Sequence, residues 1–318
     1  MEGDLTSLLH SHFYAHQTTL LCDEPKNPCE GDYDLTGSLP IGMSGNSNGS
    51  TTGTHLERTE NLERQEVIAP ATVTEISHLS ETVKRLCLKV EDDRFTFKPG
   101  QWVDFFIPGV ETVGGFSICS SPKTLKDTST IELAVKYSDH PPALWVHTKC
   151  NTGSKVQMRV GGNFFFDPEP GAPSPDLLLV AGGVGINPLY SILQHVGDIT
   201  SDPQHNYTAK TTLLFSAKNQ DELLYKNSLL QISKRHPSIV CKYFTTKPGS
   251  DNQRPAAESI QCHHGRISDT SLKEAVSSLD RSQLTCYICG PPPMIKHVTD
   301  ILHRLNIGDS RIHFEKWW

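Results

Sequence analysis

One stretch constrains the fold of this chain more than any other. Leu177-Leu178-Leu179-Val180-Ala181 is a continuous apolar run, and it passes through Gly182-Gly183-Val184-Gly185 straight into Ile186-Asn187-Pro188 and a helical period. A short unbroken apolar run is the mark of a strand buried on both faces, which requires helices above and below it. Glycines in the turn let a pyrophosphate approach the backbone, and the helix start supplies unpaired amides and the positive end of the helix dipole. Asn187 reads as the N-cap, and Pro188 as the first helical residue, where its missing N–H has no partner to lose. A tight turn without a ligand is the competing reading, because glycine fingerprints recur by chance; the strand before it and the helix after it favour a nucleotide.

The surroundings repeat the same alternation. Strands are predicted at 211–217, 238–244, 284–289 and 311–315, and helices at 188–196, 222–234, 271–279 and 292–305. Strands alternating with helices imply a parallel, doubly wound α/β domain, placed here at 173–318. The strand ending in Tyr287-Ile288-Cys289-Gly290-Pro291-Pro292-Pro293-Met294 delivers Cys289, Gly290 and Pro291 to the carboxyl edge, where ligands of such sheets bind. Taken alone, that motif reads as a buried cysteine followed by a helix start.

Upstream the period changes. Apolar stretches at 67–76, 83–90, 101–107, 115–119, 131–137 and 155–160 are separated by turns such as Lys98-Pro99-Gly100 and Asn151-Thr152-Gly153. Six short strands at this spacing predict a closed or nearly closed antiparallel barrel at 63–172. Residues 1–62 include a Gly-, Ser-, Thr- and Asn-rich stretch at 36–54 that cannot offset its ordering entropy, and they are predicted to be a disordered tail, with 5–21 a candidate amphipathic helix.

Charge and cysteine usage exclude several classes. The chain carries a net charge of −7, and residues 1–66 alone hold three basic residues (Lys26, Arg58, Arg64) against eleven carboxylates. The remainder is nearly neutral, so no nucleic-acid groove is expected. Nine cysteines, an odd and irregularly spaced set, argue against a disulfide framework. Cys286 and Cys289 have zinc-like spacing, but residues three apart in a strand face opposite ways. Cys262-His263-His264 reads as part of a solvated loop, so no metal site is assigned. No apolar run approaches the roughly 20 residues of a transmembrane helix, and no targeting segment is recognisable at the N-terminus.

The order of barrel, Gly-Gly-Val-Gly-Ile-Asn-Pro, Cys-Gly-Pro-Pro-Pro-Met and a terminal Phe314-Glu315-Lys316-Trp317-Trp318 resembles the ferredoxin-reductase superfamily of flavin and pyridine-nucleotide oxidoreductases. Gly100-Gln101-Trp102-Val103-Asp104-Phe105-Phe106-Ile107-Pro108-Gly109 and Gly115-Phe116-Ser117-Ile118-Cys119-Ser120-Ser121-Pro122 are similar, more narrowly, to an animal family of NAD-binding oxidoreductase-domain proteins. The resemblance covers residues 66–318. It implies FAD, or FMN or an exchangeable flavin, on the barrel, and NAD on Gly182, Gly183, Val184, Gly185, Ile186, Asn187 and Pro188. It also implies hydride passing between them to an unknown acceptor. Phe116 would stack on the flavin, Ser117 would bond its reactive edge, and Cys289 and Glu315 would frame the nicotinamide, making Ser117, Cys289 and Glu315 the catalytic candidates. A mitochondrial location follows from the resemblance alone.

Two departures qualify this. Where the superfamily reads Arg-x-Tyr-Ser, this chain reads Gly114-Gly115-Phe116-Ser117, so a guanidinium clamp on the diphosphate is missing. Pro141-Pro142-Ala143-Leu144-Trp145 also lacks the usual phosphate-binding hydroxyl. Together these losses amount to about 3 kcal/mol, or about a hundredfold in flavin affinity. The alternative function is therefore an NAD(H)-binding redox sensor or interaction protein without turnover. Lys218 and Glu222, after the second strand of the α/β domain, lean towards NAD over NADP.

Overall fold

The computed structural model describes residues 53–247 and 261–316. The expectations for 1–52, for Trp317 and for Trp318 lie outside the described residues. Period-2 patterning produces six antiparallel strands: β1 (Ala69–His78), β2 (Val83–Val90), β3 (Trp102–Ile107), β4 (Val110–Ser117), β5 (Thr130–Lys136) and β6 (Lys155–Gly161). They pair in the order β4-β3-β6-β1-β2-β5. The two edges then meet: Ile118 bridges Leu133, and the Cys119 amide donates to the Glu132 carbonyl at 2.9 Å. Closure in this way removes the unpaired edges of an open sheet. Leu86, Leu88, Val103, Phe105, Leu133 and Met158 fill the interior with no exposed surface, each contributing about 2 kcal/mol of apolar burial.

Two short helices join this barrel that the strand pattern does not predict, α2 (Pro122–Thr128) and α3 (Pro141–Thr148). Both start at proline, whose fixed φ suits a first helical turn. Helix α3 presses Ala143 and Val146 into the barrel core. The expected strand at 115–119 also shifts. Strand β4 ends at Ser117, because the Ile118 and Cys119 amides leave it to bond Gln101 and Glu132.

The second half is parallel: β7 (Leu177–Gly182), β8 (Thr211–Ala217), β9 (Ile239–Thr245), β10 (Cys262–His264), β11 (Thr285–Gly290) and β12 (Ile312–Lys316), in the order β10-β9-β8-β7-β11-β12. Every residue of β7 is buried, as its unbroken apolar run requires. Helices α4 (Ile186–Ser201) and α5 (Lys226–Arg235) cover one face, and α6 (Asp269–Ser277) and α7 (Pro292–Arg304) cover the other. Cys286 packs on the α6–α7 side and Cys289 on the α4–α5 side, so the pair cannot share a zinc ion. Cys262-His263-His264, expected in a solvated loop, is instead the edge strand β10, with His263 stacked 5.0 Å from Phe244. Among the described residues no cluster of three or more His, Cys, Asp or Glu is arranged to hold a metal. None of the described helices is long and apolar enough to cross a membrane.

The predicted tail also needs correcting. Residues 53–62 are ordered: α1 (His55–Arg58) carries a reciprocal capping box between Thr54 and Glu57 and packs against β4.

Candidate functional site

Strand β7 leads to β8 and β9 on one side, while β11 lies on its other side, so the sheet's direction of winding reverses between β7 and β11. Open α/β sheets bind ligands at such a switch point, beyond the carboxyl ends of the strands. The predicted residues converge there. Gly182 ends β7, Gly183, Val184 and Gly185 form a single 3-10 turn, and α4 begins at Ile186. Across the gap stand Cys289 and Gly290 at the end of β11 and Pro291 as the N-cap of α7. Glu315 of β12 is in register with Cys289.

The glycines do different jobs. A Cβ on Gly185 would overlap the Cys289 carbonyl, one on Gly182 would come within 2.8 Å of the Met294 sulfur, and one on Gly290 would approach Gly182 Cα to 3.1 Å. These three let the two loops pack against each other. Only Gly183 among them has a left-handed φ, at +55°, and its Cβ direction points into open space. Its backbone is therefore the one of these four with room beside it. No side chain caps α4; the Ile186 amide is taken by the Gly183 carbonyl of the 3-10 turn, so the coil's leading amides are those of the glycine turn itself.

Asn187 is not the N-cap, and Pro188 is the third helical residue rather than the first, because the 3-10 turn starts the coil earlier. The Asn187 side chain turns away from the helix axis: its amide donates to the Ala134 carbonyl of β5 at 2.8 Å and its carbonyl accepts from the Tyr225 hydroxyl at 2.9 Å. Cys289 is fully buried rather than lining the crevice.

On the barrel side, Phe116 and Ser117 lie at the end of β4, half-buried and buried respectively. Pairing of β3 with β4 puts Phe116 and Gly114 on the face of Val103 and Phe105, and Gly115 and Ser117 on the opposite face with Asp104 and Trp102. The Phe116 ring meets Phe105 edge-on at 5.4 Å and folds back over Gly114. A Cβ on Gly114 would lie 2.9 Å from that ring and 2.9 Å from Pro142 Cβ. A side chain at the clamp position would collide with Phe116 and Pro142, so no guanidinium can stand there without displacing them.

The two halves meet along a polar seam that sequence reasoning missed. Ser191 and Gln194 of α4 donate to the carbonyls of Ser120 and Cys119 at 2.7 and 2.6 Å, and Ser121 donates to Asp198 at 2.7 Å. Thr82 donates to Glu222, and the Tyr287 hydroxyl donates to the Phe165 carbonyl. Tyr190 and Tyr225 stack at 4.0 Å. Burial pushes the Cys119 thiol and the Tyr225 hydroxyl upward, so both keep their protons at neutral pH. Burial also raises the Glu132 carboxyl, against the pull of Arg85. A cleft of about 410 Å³ opens in this seam between Arg85 and Glu132 on one side and Tyr190, Tyr225 and Lys226 on the other. None of the residues assigned to a cofactor from sequence lines it.

Asn187 ties α4 to β5 and to Tyr225 in that seam. Asn187→Ala removes partners from a buried carbonyl and a buried hydroxyl and is expected to cost about 2 kcal/mol, read as a lower urea midpoint. Asn187→Asp puts a carboxylate against the Ala134 carbonyl and should cost more.

Also missed was a cluster around Asp104, which is completely buried. His55 and Arg64 donate to it at 2.9 Å, and Arg159 donates at 2.7 Å. Two signals were present: a lone carboxylate in the apolar run Trp102–Ile107, and the capping-box spacing Thr54-x-x-Glu57.

Comparison with known proteins agrees with this geometry. Residues 179–300 match the family described as the oxidoreductase NAD-binding domain. Oxidoreductase NAD-binding domain-containing protein 1 of Danio rerio is 51% identical over 267 residues, covering 83% of this chain and 97% of the relative. The cytochrome b5 reductase domain of Ulva prolifera nitrate reductase superimposes with a TM-score of 0.63 at 19% identity, over 79% of this chain and 98% of that one. A Neisseria gonorrhoeae ferredoxin NADP+ reductase solved with bound FAD and NADP gives a TM-score of 0.62 at 18% identity, over 80% of this chain and 100% of that one. A fold of ferredoxin-reductase type, a matching nucleotide domain and half-identity across almost the whole of a relative place this chain in the family of oxidoreductase NAD-binding domain-containing protein 1.

Proposed function

We propose that this chain is an NAD(P)H-dependent oxidoreductase that binds its dinucleotide across the carboxyl ends of β7 and β11. The observation that carries the proposal is Gly183, left-handed, with open space on its Cβ side, at the head of the 3-10 turn that leads into α4 at the switch point. The pyrophosphate would rest on the amides of Gly183, Val184 and Gly185. Glu315, in register with the buried Cys289, would border the ring end, with Cys289 packed beneath it. Such a nucleotide, when bound, supplies or accepts a hydride. Val184, half-buried beside the turn, offers apolar surface and would exclude water from that end. Glu222 beyond β8 favours NAD, since a carboxylate repels an extra ribose phosphate.

Phe116 and Ser117 stand where the resemblance seats a flavin, but Gly114 lacks the guanidinium that would clamp its diphosphate, and Phe116 and Pro142 crowd that position. That missing clamp favours a second reading, an NAD(H)-binding protein that senses the nucleotide without turning it over.

Calorimetric titration with NADH and NADPH tests the proposal. Saturable one-to-one binding, tighter for NADH, is the expected result, and absence of binding by both would overturn it. Anaerobic oxidation of the bound NADH by added FMN, FAD or ferricyanide separates the two readings: oxidation supports the enzyme, and binding without oxidation supports the sensor.

A further inference from the structure

Strand β4 carries the motif that resemblance assigns to a flavin, yet both of its faces are already engaged by this chain. On the inner face, the Phe116 ring and Pro142 of α3 meet over Gly114. On the outer face, the His55 ring lies directly on Gly115, where any Cβ would overlap it. His55 also stands edge-on to Trp102 at 4.7 Å and bonds Asp104 at 2.9 Å. Arg64 follows, bonding Asp104 at 2.9 Å and the carbonyls of Thr59 and Leu62 at 2.7 and 3.2 Å. The chain continues along the barrel, the Gln65 amide donating to Val160 at 2.9 Å. Strand β3 records the result: Trp102 and Asp104, on the outward face of a barrel strand, are as buried as the interior residues Val103 and Phe105.

We infer that residues 53–64 are a built-in strap of the barrel, seated in a socket made by Gly115 and Asp104, and that strap and α3 together take the place that a flavin holds in proteins of this fold. The two glycines of Gly114-Gly115-Phe116-Ser117 then have a positive explanation. Gly114 leaves room for Phe116 and Pro142, and Gly115 leaves room for His55. An arginine at 114 would find both its space and its ligand displaced. The inference stands apart from the nucleotide reading, which concerns the other half of the molecule.

The test uses the full-length chain in two arms. In the first, limited trypsin digestion follows cleavage after Arg58 and Arg64. His55→Ala and Gly115→Ala are expected to speed cleavage at these two positions at least tenfold relative to the rest of the chain. Equal rates in wild type and His55→Ala would overturn the strap. In the second arm, wild type and Gly114→Arg are incubated with excess FAD or FMN and then gel-filtered. Neither is expected to retain flavin absorbance, and one flavin per chain in either protein would overturn the inference. NADH titrated into the same samples reports nucleotide binding separately, so one reading can fail without the other.

Discussion

Replacing Asp104 by alanine is expected to lower the stability of the chain by about 3 kcal/mol, the range found when one partner of a buried ionic cluster is deleted. The carboxylate is wholly buried and receives hydrogen bonds from His55, Arg64 and Arg159. Without it, two guanidiniums only 14% and 27% exposed face each other across the outer surface of β3 with nothing between them. For a unit of this size the midpoint of thermal unfolding should fall by about 6–12 °C. The same residue sets an acid limit. Burial opposes its charge, but the three donors outweigh burial and hold its carboxyl at about 2, below the ordinary 3.8. A carboxyl depressed in the folded state stabilises above its unfolded value and loses that contribution as pH falls through the folded one. About 2 kcal/mol should therefore disappear between pH 3.8 and pH 2. Urea midpoints measured across that window in wild type and Asp104→Asn check the claim: the wild-type slope should be the steeper, and parallel slopes would refute it.

The second large effect separates two glycines two residues apart. Gly185→Ala drives a methyl group into the Cys289 carbonyl, where neither backbone can yield without parting the β7 turn from β11. Overpacking of this kind costs about 3 kcal/mol or more, and it should abolish nucleotide binding by distorting the site. Gly183→Ala meets no atom within 4 Å. It costs only the left-handed strain of a non-glycine residue, about 1 kcal/mol, so the protein should stay folded. Binding of NADH should nevertheless weaken tenfold or more, because the new methyl group projects to the side from which the pyrophosphate approaches. Circular dichroism melting with NADH calorimetry on both variants decides this. A Gly183→Ala protein with unchanged affinity would remove the turn from the site, and a Gly185→Ala protein of normal stability would contradict the packing.

Those two glycines mark how far the chain could be read in advance. The unbroken apolar run of β7, the alternation of β1 and β2, and the register of strand, glycine turn and helix depend on neighbours within a few residues, so their bounds were readable to within two or three positions. The helices α2 and α3 were not, because each spans only seven or eight residues with a proline start and too little period to register. Cys262–His264 was mistaken for a loop for a related reason. Three residues carry no alternation, and only pairing with β9 makes them a strand.

By itself, the sequence determined the two sheet types, their order and the glycine turn at the switch point, since side-chain periodicity and backbone freedom are properties of local chain. Tertiary structure alone decided what those residues are used for. Asn187, legible as a helix cap, became the tie between α4 and β5 because Ala134, 53 positions away, presents a carbonyl to it. Gly115, only the unspecified position of a flavin motif in the sequence, became the socket for His55 because Asp104, 49 positions from that histidine, holds its ring in place. Contacts at such separations depend on how two surfaces meet once each is formed, and no local period encodes them.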